Sequence, residues 1–523
     1  MSTDPALPTD DAHVPPSSAA DDGAGLHPEH LPVRPLEAGD VLDGFRLEER
    51  LHQGGMANLW RVTHPDHPIP MLMKVPRIKG GEDPATIVGF EVEMMILPML
   101  KGAHVPRFIA KGDFTVRPYI VMEHIQGDSL RPRLDQAPIS ADEVASIGAR
   151  VAMALHELHR QHVIHLDIKP SNILLRAHAG ERGERAGDVV LVDFGLSRHD
   201  HLPDLLDEEF NLPMGTGPYM SPEQVQFLRS EPRSDLFALG VMMYHLATGE
   251  RPYGAPSSVR GLRERLYKEP VPPRAIRPDV PPWLQEIILR CLEVQADKRH
   301  ASAAQLAQEL LHPEQVRLTE RASRAGTAGR FTQFKRWFAA MGAEPVSQSG
   351  VAEQLKRAPI VMAAVDVEGA TDELLDMVRE TVRRVLVTEP GARLACVSVM
   401  KTARIGMDEL TDAAGRSLHV KQLVGLKHWA RPISQALDLD ESRLTFHVLE
   451  APDAAAAIVD FARRTQVDHV VMGARGNSAL RRYLGSVSSQ VVAQADCTVT
   501  VVRVPAEAAG LVDEPPAGTV PGG

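Results

Sequence analysis

Two short motifs constrain this chain more than any other part of its sequence. They are His165-Leu166-Asp167-Ile168-Lys169-Pro170-Ser171-Asn172 and, after a short gap, Asp193-Phe194-Gly195. A carboxylate such as Asp167 can orient a hydroxyl group and accept its proton. Asn172 and Asp193 offer hard oxygen ligands of the kind that Mg²⁺ prefers, and Lys169 adds a cation on the same loop. The motifs therefore predict a site where a hydroxyl group, a metal ion and negative charge meet.

The two motifs resemble the catalytic loop and the metal-binding motif of protein kinases, in the family's order and at a plausible separation. The resemblance implies ATP as phosphoryl donor, Mg²⁺ (or Mn²⁺ as a substitute) as metal, and protein serine or threonine hydroxyls as acceptors. It gives Asp167 and Lys169 catalytic roles and assigns the metal to Asn172 and Asp193. Leu166 departs from the pattern, because most relatives carry an arginine there.

A glycine turn between two strands is predicted upstream, over residues 51–62. Glycines let backbone N–H groups approach phosphates closely, since no side chain intervenes. The stretch resembles the glycine-rich lid of protein kinases, which implies nucleotide contacts from Gly54, Gly55 and Val62. Two of the family's three spaced glycines are replaced, so an ordinary hairpin turn is the alternative.

A lysine lies inside the apolar strand predicted at 71–75. The ammonium of Lys74 is costly to bury without a partner, and the helical pattern at 90–95 offers Glu91 and Glu93. The resemblance implies that Lys74 contacts the ATP phosphates and pairs with a helix glutamate, for which we choose Glu93. The alternative is that both glutamates are solvated.

A buried strand at 119–123 runs into a glycine turn at Gly127. The resemblance identifies this stretch as the hinge, where backbone groups around Glu123 and Ile125 would bind adenine. Met122 would then be the residue that limits access to the pocket behind the hinge.

The segment 193–223 ends in Ser-Pro-Glu and resembles the activation segment of serine/threonine kinases. Thr216, together with the lysine of the catalytic loop, matches the serine/threonine branch rather than the tyrosine branch. Asp235 and Arg299 match two structural anchors of the lower lobe. The resemblance implies a bidentate ion pair between Arg299 and Glu223.

The leucine at position 166 cannot clamp a phosphorylated activation loop as an arginine would. The loop is already acidic and has one basic residue, Arg198, against Asp200, Asp204, Asp207, Glu208 and Glu209. We therefore hypothesise that loop phosphorylation is not what activates this chain.

Strands and helices alternate from residue 359 onward, which favours a parallel sheet covered by helices. The predicted strands lie at 360–366, 393–400, 443–450, 467–472 and 498–504. The predicted helices lie at 370–387, 454–465 and 486–493.

Residues 355–504 resemble a universal stress protein domain. Family members that bind ATP carry a glycine pair, a nine-residue gap and then glycine-serine, whereas the gap here is eight residues. The resemblance implies nucleotide contacts at Asp366, Gly473, Gly476, Gly485 and Ser486, a glycine and helix-start pattern suited to phosphate. ATP or AMP binding and a non-binding dimerisation module remain even alternatives.

A length of 523 residues and 43% apolar composition predict two domains with tails. We predict a bilobal protein kinase fold of the α+β type, followed by a universal-stress-protein-like α/β domain. The boundaries are 1–40 (disordered acidic, proline-rich tail), 41–312 (kinase), 313–356 (linker), 357–504 (α/β domain) and 505–523 (disordered tail). The linker contains an amphipathic helix near 331–341, read either as a membrane-surface or dimer helix or as a helix docked on a domain.

The composition also argues against several kinds of partner and cellular location. A net charge of −12 gives no reason to expect a nucleic-acid partner. No apolar run approaches the roughly 20 residues of a membrane span, and no secretion signal is evident. Three widely spaced cysteines argue against disulfides and favour the cytoplasm.

The sequence thus predicts a serine/threonine protein kinase whose C-terminal domain senses nucleotide or pairs two chains as a homodimer. The rival is a pseudokinase scaffold or nucleotide-binding stress-signalling module without transferase activity, suggested by the altered glycine loop. A kinase for a small molecule is a third alternative.

Overall fold

The computed structural model describes most of the chain in two parts, from 35 to 326 and from 358 to 504. The described residues are 35–53, 57–77, 84–114, 116–177, 188–210, 212–326, 358–389, 391–402, 417–440, 443–474 and 486–504. The predicted linker helix, most of the two predicted tails and residues 178–187 lie outside them. No helix within the described residues is both long and apolar enough to cross a membrane.

An antiparallel six-stranded sheet and one helix form the upper lobe, with the strand order β1-β2-β3-β4-β6-β5. The strands are β1 Val41–Leu42, β2 Phe45–Gln53, β3 Ala57–His64, β4 His67–Pro76, β5 Phe108–Lys111 and β6 Ile120–Glu123, and the helix is α1 Pro84–Ile96. The backbone N–H of Leu47 donates to the carbonyl of Asp40 (2.9 Å). Asp40, just before the boundary predicted at residue 41, is therefore bonded to the upper lobe.

The side chains of β4 alternate between two environments, as the period of a strand requires. Met71 and Met73 join a cluster with Leu47 inside the lobe. Leu72 packs against the main core, which includes residues of α1, and Lys74 points to the same side as Leu72. This alternation brings the lysine to the cleft between the lobes.

Helices dominate the lower lobe, around the almost fully buried α6. The helices are α2 Arg131–Asp135, α3 Ala141–His159, α4 Leu205–Glu209, α5 Pro222–Val225, α6 Arg233–Thr248, α7 Val259–Arg263, α8 Pro273–Ile276, α9 Pro282–Cys291, α10 Ala303–Leu311 and α11 Glu320–Ser323. Two small sheets are formed by β7 Gly127–Ser129, β8 Val163–Ile164, β9 Ile173–Arg176, β10 Val189–Leu191 and β11 Arg198–His199, in the orders β10-β9-β7 and β11-β8. These sheets hold both ends of the catalytic loop.

Residues 313–326, predicted as linker, belong to the lower lobe in the structure. Helix α11 packs against α9, and Arg321 pairs with Glu286 (3.1 Å) and Glu293 (2.8 Å). The amide of Gln285 donates to the carbonyl of Arg321 (2.7 Å). The lower lobe therefore extends past the predicted boundary at residue 312.

The C-terminal domain is a five-stranded parallel sheet in the order β14-β13-β12-β15-β16. Its strands are β12 Ile360–Ala364, β13 Arg393–Lys401, β14 Leu444–Ala451, β15 His469–Gly473 and β16 Thr498–Val502, and its helices are α12 Asp372–Thr388, α13 Leu418–Leu437, α14 Ala454–Arg464 and α15 Ser486–Gln494. The predicted two-domain fold class is confirmed.

The long helix α13 is absent from the sequence prediction. Its start carries a recognisable signal, because the hydroxyl of Ser417 accepts a hydrogen bond from the N–H of Val420. Pro432 lies inside the helix and interrupts the pattern that would have identified it, since proline lacks the N–H group a helix interior needs.

Candidate active site

The catalytic loop is held from below by Asp235 of α6. Its two carboxylate oxygens accept hydrogen bonds from the backbone N–H groups of His165 and Leu166 (2.9 Å each) and from the ring of His159 (2.8 Å). Asp235 is buried, and burial disfavours its charge, but the bond from His159 and the neighbouring histidines keep its pKa below the usual value. The loop backbone is therefore tied to the most buried helix of the lobe.

Asp167 receives hydrogen bonds on both carboxylate oxygens. Lys169 Nζ lies 2.6 Å and Asn172 Nδ2 lies 3.1 Å from Oδ2. The hydroxyl of Thr216, from the activation segment, donates to Oδ1 (2.7 Å). The geometry thus shows that this carboxylate can bind a hydroxyl group as acceptor, which is what orienting a substrate hydroxyl requires.

Lys74 bridges two carboxylates across the cleft. Its Nζ lies 2.5 Å from Glu93 on α1 and 2.9 Å from Asp193. Burial works against the charged lysine, but the two carboxylates outweigh it and raise the pKa of Lys74. Glu93 is therefore the helix glutamate that meets Lys74, whereas Glu91 is buried elsewhere.

Asp193 is the most exposed member of this cluster, with 42% of its side chain accessible from the cleft. The adjacent Lys74 ammonium lowers the pKa of Asp193 to about 2, against the opposing effect of burial. Its carboxylate is therefore ionised at any physiological pH and remains available as a ligand.

The donor set fits a divalent metal ion of the hard type. The amide N–H groups of Asn172 donate to the carbonyl and the carboxylate of Asp167. This fixes the orientation of the amide. Its oxygen accepts a long bond from Ser171 Oγ (3.3 Å) and has capacity for another partner. An amide oxygen and an ionised carboxylate are ligands that Mg²⁺ accepts.

Two glycines let α1 approach the metal-binding motif closely. A Cβ at Gly195 would lie 3.2 Å from the carbonyl oxygen of Gly89, and a Cβ at Gly89 would lie 3.0 Å from that of Gly195. Phe194 beside them is buried and its ring lies 5.2 Å from that of His165. The position of α1, and with it Glu93, is therefore coupled by direct contact to the segment that carries Asp193.

The predicted hinge residues lie at the back of the cleft. Met122 and Ile125 are buried, and the carboxylate of Glu123 is bound by the guanidinium of Arg176. Because its side chain is used in this way, the backbone of Glu123 stays the predicted point of contact with adenine.

Val62 does not face the cleft, which corrects the prediction that it contacts nucleotide. It pairs in register with Met71 and is buried in the interior cluster of the upper lobe. Leu59 pairs with Lys74 and therefore lies on the lysine's side of the sheet, where it is partly exposed. The period of two along β3 distinguishes the two positions once the pairing with β4 is known. Gly54 and Gly55 lie outside the described residues.

The end of the activation segment is anchored by the predicted ion pair between Arg299 and Glu223. Two nitrogen–oxygen contacts of 2.7 and 3.1 Å join the side chains, and both residues are buried. The amide of Gln224 donates to the carbonyl of Leu166 (2.7 Å). This bond connects the anchor to the catalytic loop.

The predicted nucleotide residues of the C-terminal domain are only partly described. Asp366 follows β12, and Gly473 is the last residue of β15. The two strands are parallel neighbours, so both residues lie at the carboxyl edge of the sheet. Ser486 begins α15, and Gly476 and Gly485 lie outside the described residues. A Cβ at Gly473 would lie 3.0 Å from Leu374, so helix packing alone accounts for this glycine.

The two lobes, the Lys74–Glu93–Asp193 cluster and the loop around Asp167 together define the protein kinase class of fold and site. The family model for the protein kinase domain matches residues 45–312, and the chain belongs to this family. Residues 359–503 match the universal stress protein family.

The similar curated proteins are bacterial serine/threonine-protein kinases. Pkn1 of Myxococcus xanthus is 31% identical over 60% of this chain and 46% of its own length. Pkn3 of the same organism is 32% identical over 51% of this chain and 49% of its own, and PknB of Mycolicibacterium smegmatis is 29% identical over 54% and 43%. The chain therefore spans less than half the length of each of these relatives.

A similar solved structure is the kinase domain of Mycobacterium tuberculosis PknI. The two sequences are 22% identical. The match covers 53% of this chain and 99% of the PknI chain, with a TM-score of 0.41.

Proposed function

We propose that this chain is a protein kinase that transfers the γ-phosphoryl group of ATP to serine or threonine hydroxyls of proteins. The observation that carries the proposal is the convergence of Lys74, Glu93 and Asp193 in one cleft. The two carboxylates offset the cost of burying the charged lysine there. The names of the similar bacterial proteins support protein, rather than a small molecule, as the acceptor.

Each residue has a separate task in this proposal. Lys74 binds the ATP phosphates while Glu93 keeps its ammonium in place, and the backbone at Glu123 and Ile125 binds adenine. Asn172 and Asp193 hold Mg²⁺, which when bound offsets negative charge on the phosphates. Asp167 orients the acceptor hydroxyl and accepts its proton, as its bond from Thr216 Oγ1 illustrates, and Lys169 contributes positive charge beside it.

Replacing Lys74 by methionine tests the proposal directly. Methionine keeps an unbranched side chain but has no ammonium to bind phosphate, so we expect labelled phosphate transfer from ATP to fall by about 10²–10³-fold. Transfer is measured both to the chain itself and to a generic basic protein.

The matched control is Lys101→Met, at an exposed lysine of the same lobe, which should leave transfer unchanged. Absence of transfer in the wild type, together with measurable nucleotide binding, would contradict the proposal and favour the pseudokinase alternative. Equal transfer in the wild type and in Lys74→Met would indicate a contaminating kinase.

Phosphatase treatment tests the hypothesis about Leu166. The side chain of Leu166 is buried and offers no charge for a phosphate. Arg198 and Arg229 instead pair with Asp204, the N-cap residue of α4. We expect dephosphorylated protein, checked by mass spectrometry, to keep its activity within about twofold. A twofold change is a small change in the barrier, because even a tenfold change in rate requires about 1.4 kcal/mol. A large loss that maps to one loop hydroxyl would refute the hypothesis.

For the C-terminal domain, the topology supports nucleotide binding near Asp366. The chain order reverses between β12 and β15, and ligands of open α/β sheets bind at such switch points beyond the carboxyl ends of the strands. Pairing of two chains through this domain is the alternative proposal. It would use the β16 side, because the opposite edge strand β14 packs against α4 of the kinase domain.

We also propose a cytoplasmic location. All three cysteines are free thiols in the structure, and a reducing compartment keeps thiols in that state.

A further inference from the structure

Helix α13 of the C-terminal domain contacts helix α1 of the kinase domain through one lysine. The ammonium of Lys427 forms an ion pair with Glu91. It also lies 5.0 Å from the ring centre of Phe114 in the kinase domain and 4.5 Å from that of Phe446 on β14. An ammonium enclosed between two rings has lost most of its hydration, so its attraction to Glu91 is little screened by water.

A second set of contacts encloses the acidic end of α4, within the activation segment. Glu208 lies 2.8 Å from Arg393 and 3.2 Å from His447. Glu209 lies 3.6 Å from His419 and 3.8 Å from His447. All three basic residues belong to the C-terminal domain.

The basic groups of this contact are buried. Arg393 is 8% exposed, His419 is 3% exposed and His447 is fully buried. Burial lowers the pKa of His447, but the two glutamates outweigh burial and raise it. Arg393 and His447 likewise lower the pKa of Glu208 against the effect of burial. Separating the domains would therefore expose charges that the contact neutralises.

The two contacts involve α1, which carries Glu93, and α4, which belongs to the activation segment. Glu91 and Glu93 lie on the same helix, and they bind Lys427 and Lys74 respectively. Helix α4 packs against α1 and also against β14 and α14 of the C-terminal domain. A displacement of the C-terminal domain would therefore act on α1 and on the activation segment together.

We propose that the C-terminal domain is a built-in docking partner that holds α1 and α4 in the arrangement required for phosphoryl transfer. In this arrangement Arg393 and His447 neutralise acidic side chains of the activation segment, in a chain whose Leu166 could not neutralise a phosphate there. Lys427 is a positioning residue, because it acts on the site through α1 and touches no reacting group. The activity readout of this inference rests on the proposed kinase function, whereas the docking itself does not.

Charge reversal across the interface tests the proposal in the full-length chain. We expect Lys427→Glu and Glu91→Lys each to lower kcat/KM by about 5–150-fold, the usual range for coupling between sites. Amide hydrogen exchange in residues 84–96 and 205–209 should become at least about tenfold faster in both variants. The double variant restores an ion pair with the two charges exchanged. It should recover most of the lost kcat/KM and most of the protection from amide exchange.

The matched control is Lys421→Glu on the same helix. Lys421 pairs with Glu368 of its own domain, and both are partly exposed, so activity and exchange in the two kinase segments should not change. Arg393→Gln is a milder second variant for the case that charge reversal prevents folding, and it should speed exchange at 205–209.

The outcomes distinguish a failure of the proposed domain contact from a failure of the proposed kinase function. Faster exchange with reduced activity, both recovered by the double variant, supports the proposal. Unchanged exchange in Lys427→Glu and Arg393→Gln overturns it, as does faster exchange with unchanged activity. Faster exchange in a protein whose wild type transfers no phosphate would support the docking and refute the proposed kinase function instead.

Discussion

Replacing Asp193 by asparagine is expected to lower phosphate transfer by about 10³-fold. A metal ion on the phosphates supplies several kcal/mol of charge stabilisation, and about 1.4 kcal/mol corresponds to each factor of ten in rate. Asparagine cannot supply the ionised carboxylate that Lys74 keeps at a pKa of about 2. The substitution is nearly isosteric, so the backbone of the motif should remain in place.

The measurement is initial-rate phosphate transfer as a function of Mg²⁺ concentration. The matched control is Asp200→Asn, an exposed aspartate of the same segment that pairs with Arg198 (3.2 Å), and its activity should stay near that of the wild type. If Asp193→Asn keeps more than about a tenth of the wild-type rate at low Mg²⁺, Asp193 is not a metal ligand.

Replacing Arg299 by leucine is expected to destabilise the kinase domain by about 3–5 kcal/mol, the cost of removing one partner of a buried ion pair. The Glu223 carboxylate would stay buried without its guanidinium. The loss extends further, since Arg299 also donates to the carbonyl groups of Glu293, Val294 and Arg233. These contacts hold the activation segment against α6. We therefore expect the substitution to lower the stability of the domain mainly, and the activity only as a consequence.

Differential scanning calorimetry of the full-length chain measures this effect in the transition of the kinase domain. A loss of 3–5 kcal/mol corresponds to a drop in Tm of about 6–20 °C for a domain of this size. The control is Arg160→Leu, which removes an exposed pair with Glu157 and should cost less than about 1 kcal/mol. Similar shifts for both variants would show that the buried pair contributes no more than a surface pair.

The sequence predicted local features well where each motif carries its own chemistry. The spacing of Asp167, Lys169 and Asn172 implied one loop, and the structure joins all three by hydrogen bonds. The strands of the C-terminal domain were predicted to within a few residues, because buried parallel strands read as continuous apolar runs.

Predictions that depend on strand pairing were less successful. Val62 and Leu59 are both apolar residues of one strand, and only the register against β4 shows that Leu59 shares the side of Lys74. The choice of Glu93 over Glu91 used the spacing of Glu93 from Phe90 and Leu100. Burial could not have decided it, since both glutamates lie on a helix whose residues are buried on nearly every side.

By itself the sequence determined the two-domain fold class, the kinase resemblance and the residues of the catalytic loop, because these depend on local spacing and periodicity. Only the tertiary structure decided where Glu91 and the acidic end of α4 are bound. Their partners Lys427, Arg393 and His447 lie more than 180 residues away along the chain. Such contacts form from complementary shape and charge on two folded surfaces, and no periodicity within either segment records them.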